Sequence, residues 1–353
     1  MPSTRSMSER RAISGRAARA STSRSRRVRR RPGGTIALTG IHGGLARMLL
    51  RRLEEDDRYE KIVLFDERAP SMPVRGARFH AIDLTAPLAD ARVAELLRVE
   101  GVETLVHLAL REAPKPHLGG AHELETVGTM VVLNAAADCA SRGSPLDSLV
   151  SVTTSMVYGA HPRNPNYLTE DQPLRGGEQS GFVRDKVDVE RQLEEFRRQE
   201  GLRVCILRPS WTLGACDSIA RRLLDAPAAL TVLGFDPLVQ LLHQEDLAGL
   251  LKRVVDRPTD GAFNVAAPGV LPLSAVLRLA GRTAVPLPAP LAYSGASLLW
   301  RLYGVGIGVS LDYLRYLWVV DDEQARSKLG FAPRYDVRGV VESHVSRASA
   351  SSA

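Results

Sequence analysis

Small residues recur at Gly40, Gly43 and Ala46 in "TIALTGIHGGLARMLL", where an apolar strand-like run passes directly into an amphipathic helical one. Gly40 permits a tight exit from the strand, Gly43 lets the backbone approach a pyrophosphate, and Ala46 lets the helix pack closely. Free amides at the start of that helix favour anions. The turn, which also holds Ile41 and His42, therefore predicts a binding site for the phosphates of a dinucleotide.

A carboxylate ends the next apolar run, "KIVLFD". Asp66 at this strand end is expected to accept hydrogen bonds from both hydroxyls of an adenosine ribose, and its charge would repel the 2′-phosphate of NADP. NAD is therefore favoured, with NADP as the alternative because Arg68 lies two residues on. Asp83 in "HAIDLTAP" is expected at the adenine amine, with Leu84 beside the ring. The plainer interpretation of both aspartates is as turn residues.

Short apolar runs alternate with longer amphipathic segments from residue 35 onward. The later runs are "ETLVHLAL", "LDSLVSVTT" and "LRVCILRP". Continuous apolar runs suit strands buried on both faces, and helical segments between them imply parallel crossover connections. The pattern predicts an α/β fold with a doubly wound parallel sheet and a smaller, interleaved C-terminal substrate lobe.

Proline-rich and leucine-rich pieces follow Pro209, and "GAFNVAAPG" at 261–269 has the pattern of one more strand and turn. We expect residues 34–209 to form the nucleotide-binding domain, with 241–268 returning to it. The substrate lobe is assigned to 210–240 and 269–340, and a flexible C terminus to 341–353.

Positive charge is concentrated at the N terminus of this chain of 353 residues. Residues 1–33 carry eleven arginines against Glu9 alone, so this segment has a charge of +10 in a chain whose formal net charge is +7. It lacks aromatic residues and apolar periodicity, which predicts a disordered tail. A weak contact with nucleic acid or an anionic membrane, and an organelle transit peptide, are the alternatives for this segment.

Cysteine usage and hydropathy bear on the compartment. Cys139, Cys205 and Cys216 form no CxxC pair and have no histidines at metal-ligand spacing, so neither a disulfide framework nor a metal site is expected. A reducing, cytoplasmic location fits best. The most apolar later run, 285–300, is too short to span a bilayer. The apolar region 285–311 is interpreted as lobe core or a dimer contact, with a more apolar pocket as the alternative.

Further motifs resemble those of the extended short-chain dehydrogenase/reductase family, in particular its NAD-dependent epimerase/dehydratase branch. "TGIHGGLA" is similar to the branch's TGxxGxxG turn, "VHLAL" to its HLAA strand end, and "ETVGTMVVLNAA" to its NVxGTxxLLEAA helix, with Glu125 in place of asparagine. "TTSMVYG", "YLTEDQPLRG", "LLHQEDLA" and "ARSKLGFAPRY" follow in the family's order. The likeness spans about residues 35–340 and implies a Rossmann-type fold, NAD, a small-molecule substrate and a homodimer. It also places Leu108, Ala109 and Pro209 beside the cofactor.

The same resemblance implies three catalytic positions. In the family a serine or threonine holds the substrate oxygen, a tyrosine exchanges its proton, and a lysine four residues later binds the nicotinamide ribose and lowers the tyrosine pKa. These positions fall on Thr154, Phe182 and Lys186. The sequence contains no YxxxK in any register, so the usual proton carrier is missing.

Plainer interpretations exist for each of these residues. Phe182 and Lys186 share an apolar helical stripe, so the phenylalanine is also a reasonable core residue and the lysine a reasonable snorkelling one. Thr154 ends a strand, where β propensity alone would place a threonine. Tyr158 carries a phenol nearby and is a weak candidate for a replacement acid or base.

Two more departures from the family concern the substrate. The position of a nucleotide-sugar-binding asparagine falls on Trp211, and that of a diphosphate-binding arginine on Val239, which favours a more apolar pocket. The sequence is interpreted as an oxidoreductase that transfers hydride between NAD and a hydroxyl or ketone of a sugar-like substrate, nucleotide sugars included. The alternatives are an NAD-binding sensor or scaffold that has lost catalysis, and a dehydrogenase of a sterol-like or lipid alcohol.

Overall fold

The apolar runs form a parallel sheet in the computed structural model, which describes residues 34–59, 61–116, 121–199 and 201–352. Seven strands of these ranges pair in the order β3, β2, β1, β4, β5, β6, β11, and every pair is parallel. They are β1 (Thr35–Thr39), β2 (Ile62–Asp66), β3 (Ala77–Ala81), β4 (Val102–His107), β5 (Ser148–Val152), β6 (Arg203–Pro209) and β11 (Gly261–Val265). The doubly wound α/β fold is thereby confirmed. The predicted tail, 1–33, lies outside the described residues.

Helices cover both faces of the sheet. The helices of the described ranges are α1 (Gly44–Glu54), α2 (Ala89–Glu100), α3 (Ala121–Ser141), α4 (Gly181–Gln199), α5 (Ile219–Asp225), α6 (Gln244–Asp256), α7 (Leu273–Leu279), α8 (Ala289–Tyr303), α9 (Glu323–Leu329) and α10 (Val337–Ser352). Successive strand residues point to opposite faces: Ile36 and Leu38 pack with residues of α1, α6 and α9, and Ala37 with residues of α2, α3 and α4. Burial on both faces explains why these strands are continuously apolar.

A third core belongs to the C-terminal elements. Three two-stranded pairs accompany α5, α7, α8 and α10 there; their strands are β7 (Trp211–Leu213), β8 (Ala228–Val232), β9 (Leu238–Val239), β10 (Leu241–His243), β12 (Leu271–Pro272) and β13 (Thr283–Leu287). Trp211, Leu223 and Trp318 are among the buried residues of this core. The chain returns to the large sheet at β11, beside β6. The division into the predicted residue ranges stays a prediction.

The strand order reverses between β1 and β4. The connection from β1 leads through α1 to β2 on one side, whereas β4 leads through α3 to β5 on the other. In open α/β sheets the loops separate at such a switch point and leave a crevice at the carboxyl ends of the strands. The segments 40–43 and 108–112 therefore border the place where a ligand is expected.

Two further properties concern the described ranges. No helix there combines the length and the apolar character needed to cross a bilayer. No group of three or more His, Cys, Asp or Glu side chains in the described part of the chain is arranged to hold a metal ion. The three cysteines are free thiols.

A buried polar chain ties α4 to the sheet. Arg208 on β6 donates from Nε to Glu190 on α4 (2.6 Å) and from a terminal nitrogen to the Tyr158 hydroxyl (2.8 Å). Tyr158 in turn donates to Asn264 on β11 (2.8 Å), and Thr153 donates to Glu190. Burial raises the pKa of Tyr158. Tyr158 is 1% exposed, and its phenol both accepts and donates a hydrogen bond. Tyr158 therefore has a structural role.

Candidate cofactor and substrate site

The turn between β1 and α1 has the geometry that the glycine spacing predicts. Gly40 has a φ of +70°, and a Cβ there would lie 2.4 Å from the backbone of Ala109. Both facts require glycine. Gly43 is the N-cap of α1 and provides no side-chain cap. The first amides of α1 are therefore left for another acceptor.

A cavity of about 240 Å³ lies beside this turn and is called the glycine-turn cavity. It brings together residues from the carboxyl ends of β1, β2 and β4. The lining residues are Gly40, His42, Gly43, Phe65, Asp66, Glu67, Arg68, Ile82, Leu84, Leu108, Ala109, Leu110, Arg111 and Leu124. Seven of the predicted cofactor-binding residues, Gly40, His42, Gly43, Asp66, Leu84, Leu108 and Ala109, therefore share one cavity.

Asp66 faces the turn as predicted. Its Oδ2 accepts a hydrogen bond from the Ile41 amide at 3.1 Å, and its Oδ1 lies 3.7 Å from Nε2 of His42. The same His42 nitrogen lies 3.0 Å from the carbonyl oxygen of Arg68. The carboxylate thus sits at the end of β2 beside the turn, where a ribose bound in the cavity would meet it.

Five of the twelve predicted cofactor residues are not in the lining of the glycine-turn cavity, and two of these, Lys186 and Pro209, line a second cavity described below. Ile41 takes part through its amide, and its side chain is buried. Ala46 is fully buried where α1 packs on the sheet, which agrees with its predicted packing role. Asp83 is exposed, and its carboxylate accepts from the amide and hydroxyl of Thr85, which lowers the pKa of Asp83. Its contact with adenine stays a prediction.

Glu112 was not predicted from the sequence. Its Oε1 accepts a hydrogen bond from the Leu45 amide, in the first turn of α1, at 2.8 Å. A Cβ on Gly43 or on Gly44 would lie 3.0 Å from one of its carboxylate oxygens. The Glu112 carboxyl group therefore occupies an amide at the place where phosphates are predicted, and burial raises the pKa of this group. No local motif marks Glu112, because its role depends on the approach of segment 108–112 to α1.

A second cavity, of about 80 Å³, continues from the first and is called the lysine cavity. Leu108, Leu110 and Arg111 line both cavities. The lysine cavity also contains the predicted residues from the other half of the sheet, together with residues of β7, α5 and α6. Its remaining lining residues are Leu45, Met48, Glu112, Val152, Thr153, Thr154, Met156, Phe182, Lys186, Pro209, Ser210, Trp211, Thr212, Ser218, Ile219, Gln244 and Leu247.

Four charged side chains form a network beside the lysine cavity; Arg111, Glu125, Asp185 and Lys186 are called the charge quartet. Nζ of Lys186 lies 3.0 Å from one carboxylate oxygen of Glu125. Arg111 donates from its amide and from Nε to the other oxygen of Glu125, both at 2.8 Å. A terminal nitrogen of Arg111 donates to Asp185 at 2.8 Å, and the exposed His122 bonds the second oxygen of Asp185. Two positive charges are thus balanced by two negative ones.

Burial and pairing set the protonation of this network. Burial raises the pKa of Glu125, but the charges of Lys186 and Arg111 outweigh burial and leave that pKa below its usual value. Burial lowers the pKa of Lys186 despite the attraction of Glu125. Lys186 is 2% exposed and does not snorkel to solvent. The polar partner that a lysine on an apolar stripe requires is Glu125, the residue that replaces the family's asparagine.

Phe182 lies between the two cations of the quartet. Nζ of Lys186 is 5.2 Å from the ring centroid, and the guanidinium carbon of Arg111 is 5.5 Å from it. These distances are in the range of cation–π attraction. Phe182 therefore lines the cavity at the head of the predicted catalytic helix, α4, without a group that can carry a proton. Its correspondence to the family's tyrosine stays a prediction.

Two of the five hydroxyl residues that line the lysine cavity, Thr154 and Ser210, are suited to a polar ligand. Oγ1 of Thr154 accepts from the Met156 amide at 3.3 Å, which leaves the hydroxyl hydrogen for another partner. Ser210, which follows Pro209, has a buried hydroxyl for which the described residues provide no hydrogen-bond partner. An unpartnered buried hydroxyl in a cavity suits a polar ligand. Ser210 was missed because a serine after a strand carries no distinctive signal.

The two predicted substrate positions are separated in the structure. Trp211 lines the lysine cavity and packs edge-on against Trp318, with ring centroids 5.2 Å apart. Val239 is 2% exposed and pairs with Leu271 between β9 and β12, in the core of the C-terminal elements. Trp211 therefore contributes to the apolar character of the cavity, whereas Val239 is a core residue outside the lining of the lysine cavity.

Comparisons with known proteins agree with this geometry. Residues 36–266 match the model of the NAD dependent epimerase/dehydratase family. Uncharacterized proteins of Mycobacterium bovis and Mycobacterium tuberculosis are 31% identical over 303 residues, which cover 85% of this chain and 80% of theirs. Among solved structures, MoeE5 in complex with UDP-glucuronic acid and NAD superposes with a TM-score of 0.67 and 19% identity, covering 90% of this chain and all of that one. UDP-glucose 4-epimerase of Thermotoga maritima with UDP-glucose gives a TM-score of 0.66 and 16% identity, with the same coverage.

Proposed function

The chain belongs to the NAD-dependent epimerase/dehydratase family, and on that premise we propose that it is an NAD-binding oxidoreductase that transfers hydride at a hydroxyl or ketone carbon. One observation carries the proposal. The glycine-turn cavity and the lysine cavity share three lining residues, so that Asp66, the first amides of α1, Thr154 and Lys186 border one continuous groove. The NAD complex of MoeE5, which has the same fold, supports the choice of cofactor.

The residues along the groove match the successive parts of an NAD molecule, from the adenosine end to the nicotinamide end. Asp66 would accept hydrogen bonds from the adenosine ribose, and the amides at the start of α1 would bind the pyrophosphate. Lys186 would contact the second ribose, and the unpartnered Ser210 hydroxyl offers a hydrogen bond close to Pro209. NAD supplies the acceptor for a hydride at its nicotinamide ring.

The chemistry left to the chain is orientation and proton transfer. In alcohol oxidation the carbon loses its hydrogen with the bonding electron pair to the nicotinamide ring, and the hydroxyl proton leaves separately. The Thr154 hydroxyl would donate a hydrogen bond to the substrate oxygen and hold it in place. Phe182 excludes water from one wall and cannot take the proton, so we assign that proton to a water molecule. The sugar-like identity of the substrate stays a prediction, as do the homodimer and the cytoplasmic location.

A second candidate function is an NAD-binding sensor or scaffold without turnover. Two features of the lysine cavity favour it. Phe182 cannot exchange a proton, and the ammonium of Lys186 is paired with Glu125 at 3.0 Å. Both features impair proton transfer and leave the adenosine half of the groove intact. Tight NAD binding with no turnover of any alcohol or ketone would select this function.

The nucleotide preference tests the cofactor assignment. We expect the wild-type protein to bind NAD more tightly than NADP in a calorimetric titration. Asp66→Ala should weaken NAD binding by about tenfold or more, because hydrogen bonds to a charged group contribute about 1.5–3 kcal/mol, and NADP should lose less. Asp90→Ala, at a half-buried first-turn position of α2 outside the lining of both cavities, serves as the control. Equal affinities of the wild type for both nucleotides would contradict the assignment.

Removing the charge of Glu112 should tighten NAD binding. We expect Glu112→Gln to lower the Kd by about tenfold, equivalent to about 1.4 kcal/mol, because a neutral amide oxygen competes less strongly than a carboxylate with the pyrophosphate for the Leu45 amide. Glu67→Gln provides a matched control, since Glu67 is an exposed carboxylate that lines the same groove at its other end. Its effect should stay within about twofold, because the Leu45 amide at the start of α1 is bonded to Glu112 and not to Glu67. Equal effects of the two substitutions would show that Glu112 weakens NAD binding only by general charge repulsion, and not by its contact with the Leu45 amide.

A further inference from the structure

The largest of the three cavities described lies among the C-terminal elements and has a volume of about 420 Å³; it is called the lobe cavity. It lies between α5, β8, α8 and the segment 305–311. Leucine, alanine, valine, isoleucine, tryptophan and tyrosine side chains make up most of its wall. A volume of this size is in the range of small-molecule sites.

The wall of the lobe cavity contains no charged group that is free to bind a ligand. Arg222 is the one charged residue among the described residues that line it. Its guanidinium donates to both carboxylate oxygens of Asp217 (2.9 and 2.5 Å) and to the carbonyl oxygen of Pro114, and it stacks at 5.8 Å on the ring of Trp300. A diphosphate group requires free cationic or amide donors. The lobe cavity therefore suits a neutral, apolar group better than a nucleotide sugar.

The lobe cavity and the lysine cavity are lined by neighbouring residues of the same elements. Helix α5 contributes Ile219 to the lysine cavity and Leu223, one turn further and on the same face, to the lobe cavity. At the head of α4, Phe182 lines the lysine cavity and Ser180 the lobe cavity. The two cavities therefore lie one helical turn apart along α5.

The entrance to the lobe cavity is apolar as well. Val305 lines the cavity and is 54% exposed, so the cavity opens to the surface at this point. Outside the cavity lining, α8 exposes Leu298, Leu302 and Tyr303, and Ala292 is the single buried residue of this helix. One face of α8 thus packs on the core through Ala292, whereas the other face is exposed, and the interpretation of 285–311 as lobe core or a dimer contact stays a prediction.

We propose that the lobe cavity binds the neutral, apolar part of the substrate, an aliphatic chain or fused ring system whose hydroxyl or ketone end reaches Thr154. The assignment of the reacting end rests on the proposed function, whereas binding of the apolar part does not. This proposal refines the substrate class, because the molecule that carries the reacting carbon need not be a nucleotide sugar. The aromatic side chain of Trp211, which lines the lysine cavity, would also favour an apolar substrate.

The test uses N-phenyl-1-naphthylamine, a neutral apolar dye that fluoresces when it leaves water, with the full chain. We expect saturable binding of one dye per chain, competition by 1-tetradecanol, and no competition by UDP-glucose. Ala296→Trp, which fills the cavity from α8, should weaken dye binding at least tenfold. Leu302→Ser is the matched control, because Leu302 lies on the same helix and outside the cavity lining, and it should leave the affinity unchanged.

The outcomes separate this inference from the proposed function. Competition by UDP-glucose, or a loss of dye binding in Leu302→Ser equal to that in Ala296→Trp, would overturn the inference, and the wild-type competition decides it even where Ala296→Trp does not fold. NAD affinity is measured in the same preparations by calorimetry. In the wild type, absence of dye binding with NAD binding intact rejects the apolar site alone, whereas dye binding without NAD binding rejects the proposed function alone.

Discussion

Replacing Phe182 by tyrosine and Glu125 by asparagine together is expected to raise turnover of an alcohol with NAD by about 10²- to 10⁴-fold, the usual contribution of a positioned general acid or base. The new phenol would lie beside the cations of Lys186 and Arg111, which now flank the ring at 5.2 and 5.5 Å. Nearby positive charge favours the phenolate. The second substitution is needed because Glu125 holds Lys186 at 3.0 Å and cancels its charge.

NADH formation with 1-tetradecanol and with UDP-glucose measures this result, and ultraviolet difference titration measures the pKa of the new phenol. Phe182→Tyr alone should give a smaller gain than the pair, and Glu125→Asn alone should give none. Phe196→Tyr is the matched control, because Phe196 is a buried phenylalanine of the same helix at a distance from the cavity lining. If Phe182→Tyr alone were as active as the double variant, Glu125 would not restrain Lys186. If no variant formed NADH although NAD was bound, the sensor or scaffold function would be favoured.

The second large effect concerns stability. Arg208→Met is expected to lower the free energy of unfolding by about 3–5 kcal/mol, because it leaves the carboxylate of Glu190 buried without its counter-ion. Arg208 is 3% exposed and Glu190 is fully buried. Urea unfolding followed by circular dichroism measures the loss. The double variant Arg208→Met with Glu190→Met should recover at least half of it, since no buried charge then remains.

The exposed pair Arg92 and Glu95 provides the control for a salt bridge as such. Arg92→Met should change the unfolding free energy by less than about 1 kcal/mol. The pH dependence has a definite sign: burial raises the pKa of Glu190 even with Arg208 present, so the folded state binds a proton that the unfolded state releases as the pH rises. The loss in Arg208→Met should therefore be larger above neutral pH than near pH 5. An equal loss at both values would argue against an ionised Glu190.

The sequence predicted the parts of the site that depend on local chain geometry. The turn at Gly40 follows from a backbone conformation that only glycine adopts readily, and Asp66 follows from its place at a strand end. Likewise, continuous apolar runs predict strands buried on both faces. These features are local in sequence and recur wherever the same backbone is formed.

The parts that were missed depend on contacts between distant segments. Glu125 and Lys186 were each singled out, but their pairing follows from the packing of α3 against α4. Glu112 acts only because the loop after β4 reaches the first turn of α1. Val239 was expected in a pocket and lies in a core, since the register of the short strand β9 is set by its partner β12 rather than by its own residues.

The balance of the charge quartet has a consequence for the redox properties of a bound cofactor. Oxidised nicotinamide carries a positive charge that the reduced ring lacks, so an uncompensated lysine beside it favours reduction. Here Glu125 and Asp185 cancel Lys186 and Arg111. With NAD bound as proposed, this site would leave the midpoint potential of the nicotinamide couple close to its value in solution, so the substrate couple and the concentrations, and not the charges of the quartet, would set the direction of hydride transfer.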